Sequence, residues 1–241
     1  MTIKERVAIV SNLQKISSDV FNETIKSLKL GISEVDIAKL LRKNFEKRGI
    51  TKFWYTVPEV VLIGSERFKI GTTTTDYRIK SPSKDSFLQE GSTVYADLSP
   101  MDSVTKIWGD WNGMLVFQPR KRVDNEQVAF LEEVRNIQLN GISRITAQTT
   151  GADVASYYLE EYKRHSITLL DVRNNVGHSM HEGSKDRAKR IWLDLNNVNP
   201  LGEGIFTIEP GGARGDLVGR FEECIYIPKE GNAIVLSTTN L

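Results

Sequence analysis

The chain is 241 residues long, with 32 Lys plus Arg against 31 Asp plus Glu and a hydrophobic fraction of 39%. That balance fits a globular enzyme-sized protein, and a net charge of +1 gives no electrostatic reason to expect nucleic acid or an anionic membrane as a partner. A single cysteine, Cys224, excludes an internal disulfide, no apolar run reaches the about 18 residues a membrane helix needs, and the polar stretch Met1–Ala8 does not read as a signal peptide, so a cytoplasmic location is expected.

Residues 4–29 carry apolar side chains at helical spacing (Val7, Val10, Leu13, Ile16, Val20, Ile25, Leu28), and Gly31 ends that pattern. Ser33 with Asp36 three positions on reads as an N-terminal cap for a helix over Ile37–Lys47, which Gly49 stops. Strands are predicted at Val60–Ile63, Thr93–Leu98 and Thr105–Val116, with the polar, turn-rich segment Thr72–Ser86 as a loop. Basic residues are spread out, and Pro119–Arg122 reads as a solvated turn. Asp124 caps a second helical region over Glu126–Ile145. Thr150 with Asp153 forms another capped start, for a helix over Val154–His165, and short strands run from Thr168 onward.

Shifting the chain by 117 positions lays Ser33–Ile50 on Thr150–Ile167, so that Asp36 meets Asp153, Phe45 meets Tyr162 and Ile50 meets Ile167. Both copies read helix, capped helix, then strands. An α+β fold of two helix-plus-antiparallel-sheet halves around a central cleft is expected.

The chemistry concentrates at strand ends. Glu209 follows the alternating run Phe206-Thr207-Ile208 and is stopped at once by Pro210-Gly211, which places a carboxylate at the end of a buried strand. An ionised carboxylate there needs a cation or a hydrogen-bond donor. Asp97 closes the strand from Thr93, Asp110 lies in Ile107-Trp108-Gly109-Asp110-Trp111, and Glu222 opens the run to Ile227. With His178, in Val176-Gly177-His178-Ser179, four carboxylates and one imidazole form an oxygen-rich donor set suited to Mn²⁺, Co²⁺, Fe²⁺ or Zn²⁺.

In order along the chain, Asp97, Asp110, Gly177-His178, Thr207-Ile208-Glu209-Pro210-Gly211 and Arg220-Phe221-Glu222-Glu223 resemble the motifs of the pita-bread metallopeptidases. That family holds the methionine aminopeptidases, aminopeptidase P, prolidase and the non-peptidase relative creatinase. The resemblance spans roughly residues 5–238 and implies the pita-bread fold, with residues 1–241 as one catalytic domain. Asp97-Leu98-Ser99-Pro100 and Arg190-Ile191-Trp192-Leu193 look closer to the aminopeptidase P and prolidase branch, whereas the length looks closer to methionine aminopeptidase.

What the resemblance implies is a site for two divalent metal ions. Asp97 would chelate one ion, Asp110 and Glu222 would bridge, and His178 and Glu209 would complete the other shell. Glu209 would also take the proton of an attacking water. His181 is the candidate for stabilising the tetrahedral intermediate or holding substrate, and Thr207 and Arg220 are the candidates for orienting ligands from behind. The implied substrate is a short peptide with a free N-terminus, with Xaa-Pro as one option, in an enzyme compatible with a homodimer. Two other readings stay open: a C–N hydrolase of the creatinase kind, and a binding module that keeps the fold without catalysis.

Four departures from the family pattern stand out. Residues 51–96 contain no histidine where the family carries one that binds substrate. The usual Gly-His-Gly is Gly177-His178-Ser179, and His181 lies nearer to His178 than the family's second histidine does. The Asp97–Asp110 spacing is slightly long, which a longer hairpin turn around Met101–Thr105 would absorb.

Overall fold

The N-terminal amphipathic pattern folds as helix α1 (Ile3–Ser27), opened by Thr2, whose side chain accepts from the Glu5 amide while Glu5 reaches back to the Thr2 amide. The computed structural model describes residues 1–55, 57–74, 76–118, 126–171, 173–180 and 190–236. The expected cap at Asp124, the turn at Pro119–Arg122 and the candidate His181 lie outside those residues.

Helix α2 (Glu34–Glu46) starts directly after its cap, because Ser33 accepts from the Asp36 amide. Its first turn therefore begins three residues before the apolar pattern does. A short strand β1 (Lys52–Phe53) and strand β2 (Glu59–Ile63) follow. Helix α3 (Ser65–Thr72) was not expected, and the predicted loop beyond it contains one helical turn, α4 (Tyr77–Lys80). Next come β3 (Thr93–Leu98), β4 (Pro100–Met101) and β5 (Trp111–Val116).

The long strand expected from Thr105 is thus only its second part. Asp102 Oδ1 accepts from the Thr105 amide at 2.6 Å and from the Thr105 hydroxyl at 2.7 Å, which folds Ser103–Lys106 into a turn, and Lys106 adopts φ 63 there. The turn lies where the long Asp97–Asp110 spacing placed it.

The second half repeats the order. Helix α5 (Glu126–Ile142) precedes α6 (Gly151–Arg164), which starts directly after the reciprocal Thr150–Asp153 cap. Strands β6 (Thr168–Leu169), β7 (Gly177–Ser179), β8 (Gly204–Ile208), β9 (Gly212–Arg214), β10 (Leu217–Gly219), β11 (Glu223–Ile227) and β12 (Ile234–Val235) complete it.

All pairings among the described residues are antiparallel. The first-half sheet has the order β2-β3-β5 and the second-half sheet β12-β11-β8-β7, so each half centres on the strand that leads into a candidate carboxylate. Two smaller sheets, β1-β4 and β10-β9-β6, flank them. This is the α+β, two-halved architecture expected.

Strand alternation decides which face carries what. Val61, Ile63, Val94 and Ala96 pack on α1 and α2 through Phe21, Ile37, Leu41 and Phe45. Val60, Leu62, Tyr95 and Met114 point the other way, into the core shared with α5, α6 and the second sheet. Because the first sheet is apolar on both faces, it lies buried between its own helices and the second half. A third cluster, joining Val10 and Leu13 of α1 with Trp54, Trp108, Met180, Ile205 and Cys224, fills the seam between the halves.

Candidate metal centre

Asp97 shares a face of β3 with Tyr95, and its cross-strand neighbour on β5 is Asn112. Asp110 immediately precedes β5 at the end of the hairpin, and Glu222 precedes β11 in the same manner. Glu209 directly follows β8, with its amide donating to the Val176 carbonyl at 2.8 Å. Each half therefore contributes two carboxylates separated by the same thirteen positions, Asp97 with Asp110 and Glu209 with Glu222.

The halves meet at these groups. One oxygen from each of Asp97, Asp110 and Glu222 lies within 4.8 Å of the others. Across the seam, the Glu222 amide faces the Asn112 carbonyl at 3.5 Å, and Asn112 Nδ2 donates to Glu222 Oε2 at 3.2 Å.

His178 completes the group. Its Nδ1 faces the Ser179 carbonyl, an acceptor only, at 3.1 Å, which places the ring proton on Nδ1. The lone pair on Nε2 then points toward the carboxylates, 3.5 Å from Asp110 Oδ2 and 3.8 Å from Glu209 Oε1. Arg220 forms an ion pair with Glu209 through Nη2. Thr207, fully buried, lies opposite His178 on the neighbouring strand, and its hydroxyl accepts from the His178 amide at 3.4 Å.

The electrostatics are those of buried anions brought close together. Burial first, then the charges of Asp97 and Glu209, push the Asp110 carboxyl well above its ordinary range. Glu222 rises well above its ordinary value for the same first reason, with Asp110 next. Asp97 is pushed up to about 6 by burial, against the pull of Arg220 and with a further push from Glu209.

One oxygen on each of the three clustered carboxylates, Asp97 Oδ1, Asp110 Oδ2 and Glu222 Oε1, is buried with no hydrogen-bond donor among the described residues. A native fold rarely leaves three such acceptors side by side. Three clustered carboxylates with donor-less oxygens and an imidazole nitrogen beside them fit a hard-to-intermediate divalent cation.

Several residues here carry no sequence signal. Tyr55 donates its hydroxyl to Asp110 Oδ1 at 2.7 Å. Gln14 of α1 donates to the Asp110 carbonyl at 2.6 Å. Gln138 of α5 donates at 2.7 Å to both the Ile208 and the Phe221 carbonyls, the residues just before Glu209 and Glu222. Each half thus uses a glutamine on its first helix to fix the backbone at a carboxylate.

A cavity of about 110 Å³ opens above the cluster, reaching Asp97, His178 and Glu209. Lys80, from the short helix α4, lines it, and burial followed by the charge of Arg220 pulls its ammonium below the usual lysine range. The opposite wall is aromatic. Trp54 and Trp108 stack with centroids 4.3 Å apart, and Trp192 meets the His178 ring edge-on at 5.5 Å.

A profile of metallopeptidase family M24 matches residues 8–230. No curated protein matches the sequence. Among solved structures, an X-Pro aminopeptidase from Thermotoga maritima superposes with a TM-score of 0.77 at 20% identity, covering 100% of this chain and 62% of that one. A prolidase from Pyrococcus furiosus gives 0.76 at 19%, covering 99% of this chain and 65% of that one. A methionine aminopeptidase from Thermotoga maritima gives 0.72 at 17%, covering 97% of both chains. The chain thus spans less than two thirds of the first two structures, and likeness at these identities is one of fold, the pita-bread arrangement.

Proposed function

The chain belongs to metallopeptidase family M24, and on that premise we propose that it is a metal-dependent hydrolase that removes N-terminal residues from short peptides, Xaa-Pro peptides among them. One observation carries the reading: Asp97, Asp110 and Glu222 each bring a carboxylate oxygen within 4.8 Å of the others, each has a buried oxygen without a donor among the described residues, and His178 Nε2 lies 3.5 Å from Asp110 Oδ2. In this reading residues 1–241 act as one catalytic domain, in the cytoplasm and in a form that allows a homodimer.

Two divalent ions, of Mn, Co, Fe or Zn, would be held in this reading, with Asp97, Asp110, Glu222, His178 and Glu209 as the residues that would hold them. When bound, such ions supply Lewis acidity toward a peptide carbonyl and lower the pKa of water.

The remaining chemistry belongs to the chain. Glu209 sits at the cleft floor with Oε2 held by Arg220, which leaves Oε1 to receive a proton from water and return it to the leaving amine. Arg220 fixes the direction of that carboxylate, and Thr207 fixes the strand position of His178 through its amide. Lys80 presents a cation to the cleft, where it would hold a substrate oxygen. His181 is retained as a candidate for substrate contact on the strength of the resemblance alone.

Trp54, backed by Trp108, and Trp192 give the cavity an apolar wall that limits the water around the reacting bond.

The test pairs elemental analysis with a panel of dipeptides and tripeptides under added Mn²⁺, Co²⁺ or Zn²⁺, for the protein and for Glu209→Gln. About two ions per chain with cleavage that falls at least about 100-fold in the variant supports the reading. Bound metal without cleavage of any peptide redirects it to a C–N hydrolase acting on another substrate. A chain that takes up no metal is a binding module, and the reading fails.

A further inference from the structure

Arg190 makes a contact that the proposed chemistry does not use. Its Nη1 lies 3.2 Å from His178 Nε2, the imidazole nitrogen that faces Asp110 and Glu209. With the ring proton on Nδ1, Nε2 is an acceptor, and the guanidinium donates into its lone pair.

A neutral imidazole has one such lone pair at Nε2. It binds either a donor hydrogen or a cation, not both. The guanidinium is also seated: its carbon lies 4.3 Å over the Trp54 ring, 5.4 Å over Trp108 and 5.6 Å over Trp192. Trp54 and Trp108 are stacked, so the seat is rigid, and desolvated aromatic faces suit a weakly hydrated planar cation. The other terminal nitrogen, Nη2, is buried without an acceptor among the described residues.

The geometry points to Arg190 as an internal competitor for the metal position on His178. The guanidinium, held against the three tryptophans, occupies the imidazole lone pair until a divalent ion takes it, and it shifts within the cleft when that happens. The inference rests on the metal-centre reading above, and it assigns Arg190 a positioning role that couples occupancy of the site to the shape of the aromatic wall. Arg190 reaches the cluster through His178, so the competition falls first on the ion that His178 would hold.

The experiment is a zinc titration of the metal-stripped protein and of Arg190→Met, followed by calorimetry and by tryptophan emission. Methionine keeps an apolar stem over the rings and offers no donor. Expected is a zinc equivalent at His178 that binds about tenfold more tightly in the variant, the scale of losing one charge-assisted hydrogen bond from the metal-free state. The other equivalent changes less, and the emission change that accompanies zinc uptake is lost or reduced. A merely structural role for Arg190 predicts the opposite, weaker zinc binding in the variant.

Nitrogen-15 spectra of the histidine rings in the metal-free proteins give a second readout. The His178 Nε2 resonance must differ between the two, because only one has the donor. Should Arg190→Met fail to fold, Arg190→Lys keeps the charge but replaces the planar fork with a single ammonium, and an intermediate tightening is expected. Unchanged or weaker zinc binding, or an unchanged Nε2 resonance, overturns the inference while leaving the metal centre standing. A wild-type protein that takes no zinc at all overturns both.

Discussion

Tyr55 donates its hydroxyl to Asp110 Oδ1 at 2.7 Å, and that one bond decides which oxygen of Asp110 is left for an ion. The other oxygen, Oδ2, is the buried one without a donor, and it is the one 3.5 Å from His178 Nε2. Tyr55→Phe removes the donor and leaves the carboxylate free to rotate. The expected outcome is a loss of about 10- to 100-fold in zinc affinity with the melting temperature of the metal-free protein little changed, measured by calorimetry and thermal melts. Unaltered zinc affinity would show that Asp110 is held in place without Tyr55.

The raised carboxyls give the metal-free protein an unusual pH response. Asp97 ionises near 6 in the folded chain against an ordinary 3.8, and Asp110 and Glu222 lie well above their ordinary values, in each case first through burial. A carboxyl that holds its proton more tightly when folded stabilises the fold fully below the unfolded value. That contribution is lost as pH rises through the folded one. The protein stripped with a chelator is therefore expected to melt lower at about pH 8 than at about pH 5. Saturating zinc reverses the order, because the ions bind the deprotonated groups. A chelated sample whose melting temperature holds steady or climbs over that interval would contradict the burial argument.

Gly177 precedes His178 at φ 154, and a methyl group there would fall 2.0 Å from the Thr207 carbonyl oxygen of the paired strand. Thr207 is backbone-paired with His178, so β7 cannot yield without moving the imidazole. Gly177→Ala is expected to cost about 3 kcal/mol, at the upper end for overpacking, and to weaken metal binding as well. Urea unfolding gives the first quantity and zinc titration the second. Stability within about 0.5 kcal/mol of the parent would mean that the strand pair yields to the added methyl group.

Arg135 pairs with Glu223 in the core of the second half, and its Nη1 also donates to Gln138 Oε1 at 2.8 Å. Gln138 in turn holds the carbonyls before Glu209 and Glu222. Removing one member of a buried pair leaves an uncompensated charge, so Arg135→Met is expected to destabilise by about 3–5 kcal/mol. Arg135→Met with Glu223→Gln together should recover much of that loss. A double variant no better than the single one would argue that Gln138, and not the charge, is what Arg135 supports.

How much of this was readable beforehand follows from the range of each interaction. Glu209 was legible from the alternation before it and the Pro-Gly after it, Asp97, Asp110 and Glu222 from their place at or beside apolar strand-like runs in motif order, and the structure brings the four together with His178. The two capped helices were legible for the same reason, although each begins at its cap and not at its first apolar residue. Tyr55, Asn112, Gln14 and Gln138 were not, because their partners lie far away in sequence and nothing local marks a tyrosine or glutamine as a donor. Lys80 was hidden by its setting, since a polar, turn-rich segment gives no hint that one of its residues reaches a cleft. The break in the strand expected from Thr105 came from a single side chain, Asp102, competing with the ladder for backbone amides.

The equal spacing of the two carboxylate pairs has a consequence for how such a chain can change. One half supplies only two of the four carboxylates at the floor, so either half alone would complete the set only by meeting a second copy of itself face to face. Joining the copies in one polypeptide releases them from being identical. One half is then free to add an imidazole and an arginine, His178 and Arg220, while the other adds the phenols of Tyr55 and Tyr95. The asymmetry that distinguishes acid from base at a single centre is what covalent linkage permits and a symmetric dimer forbids.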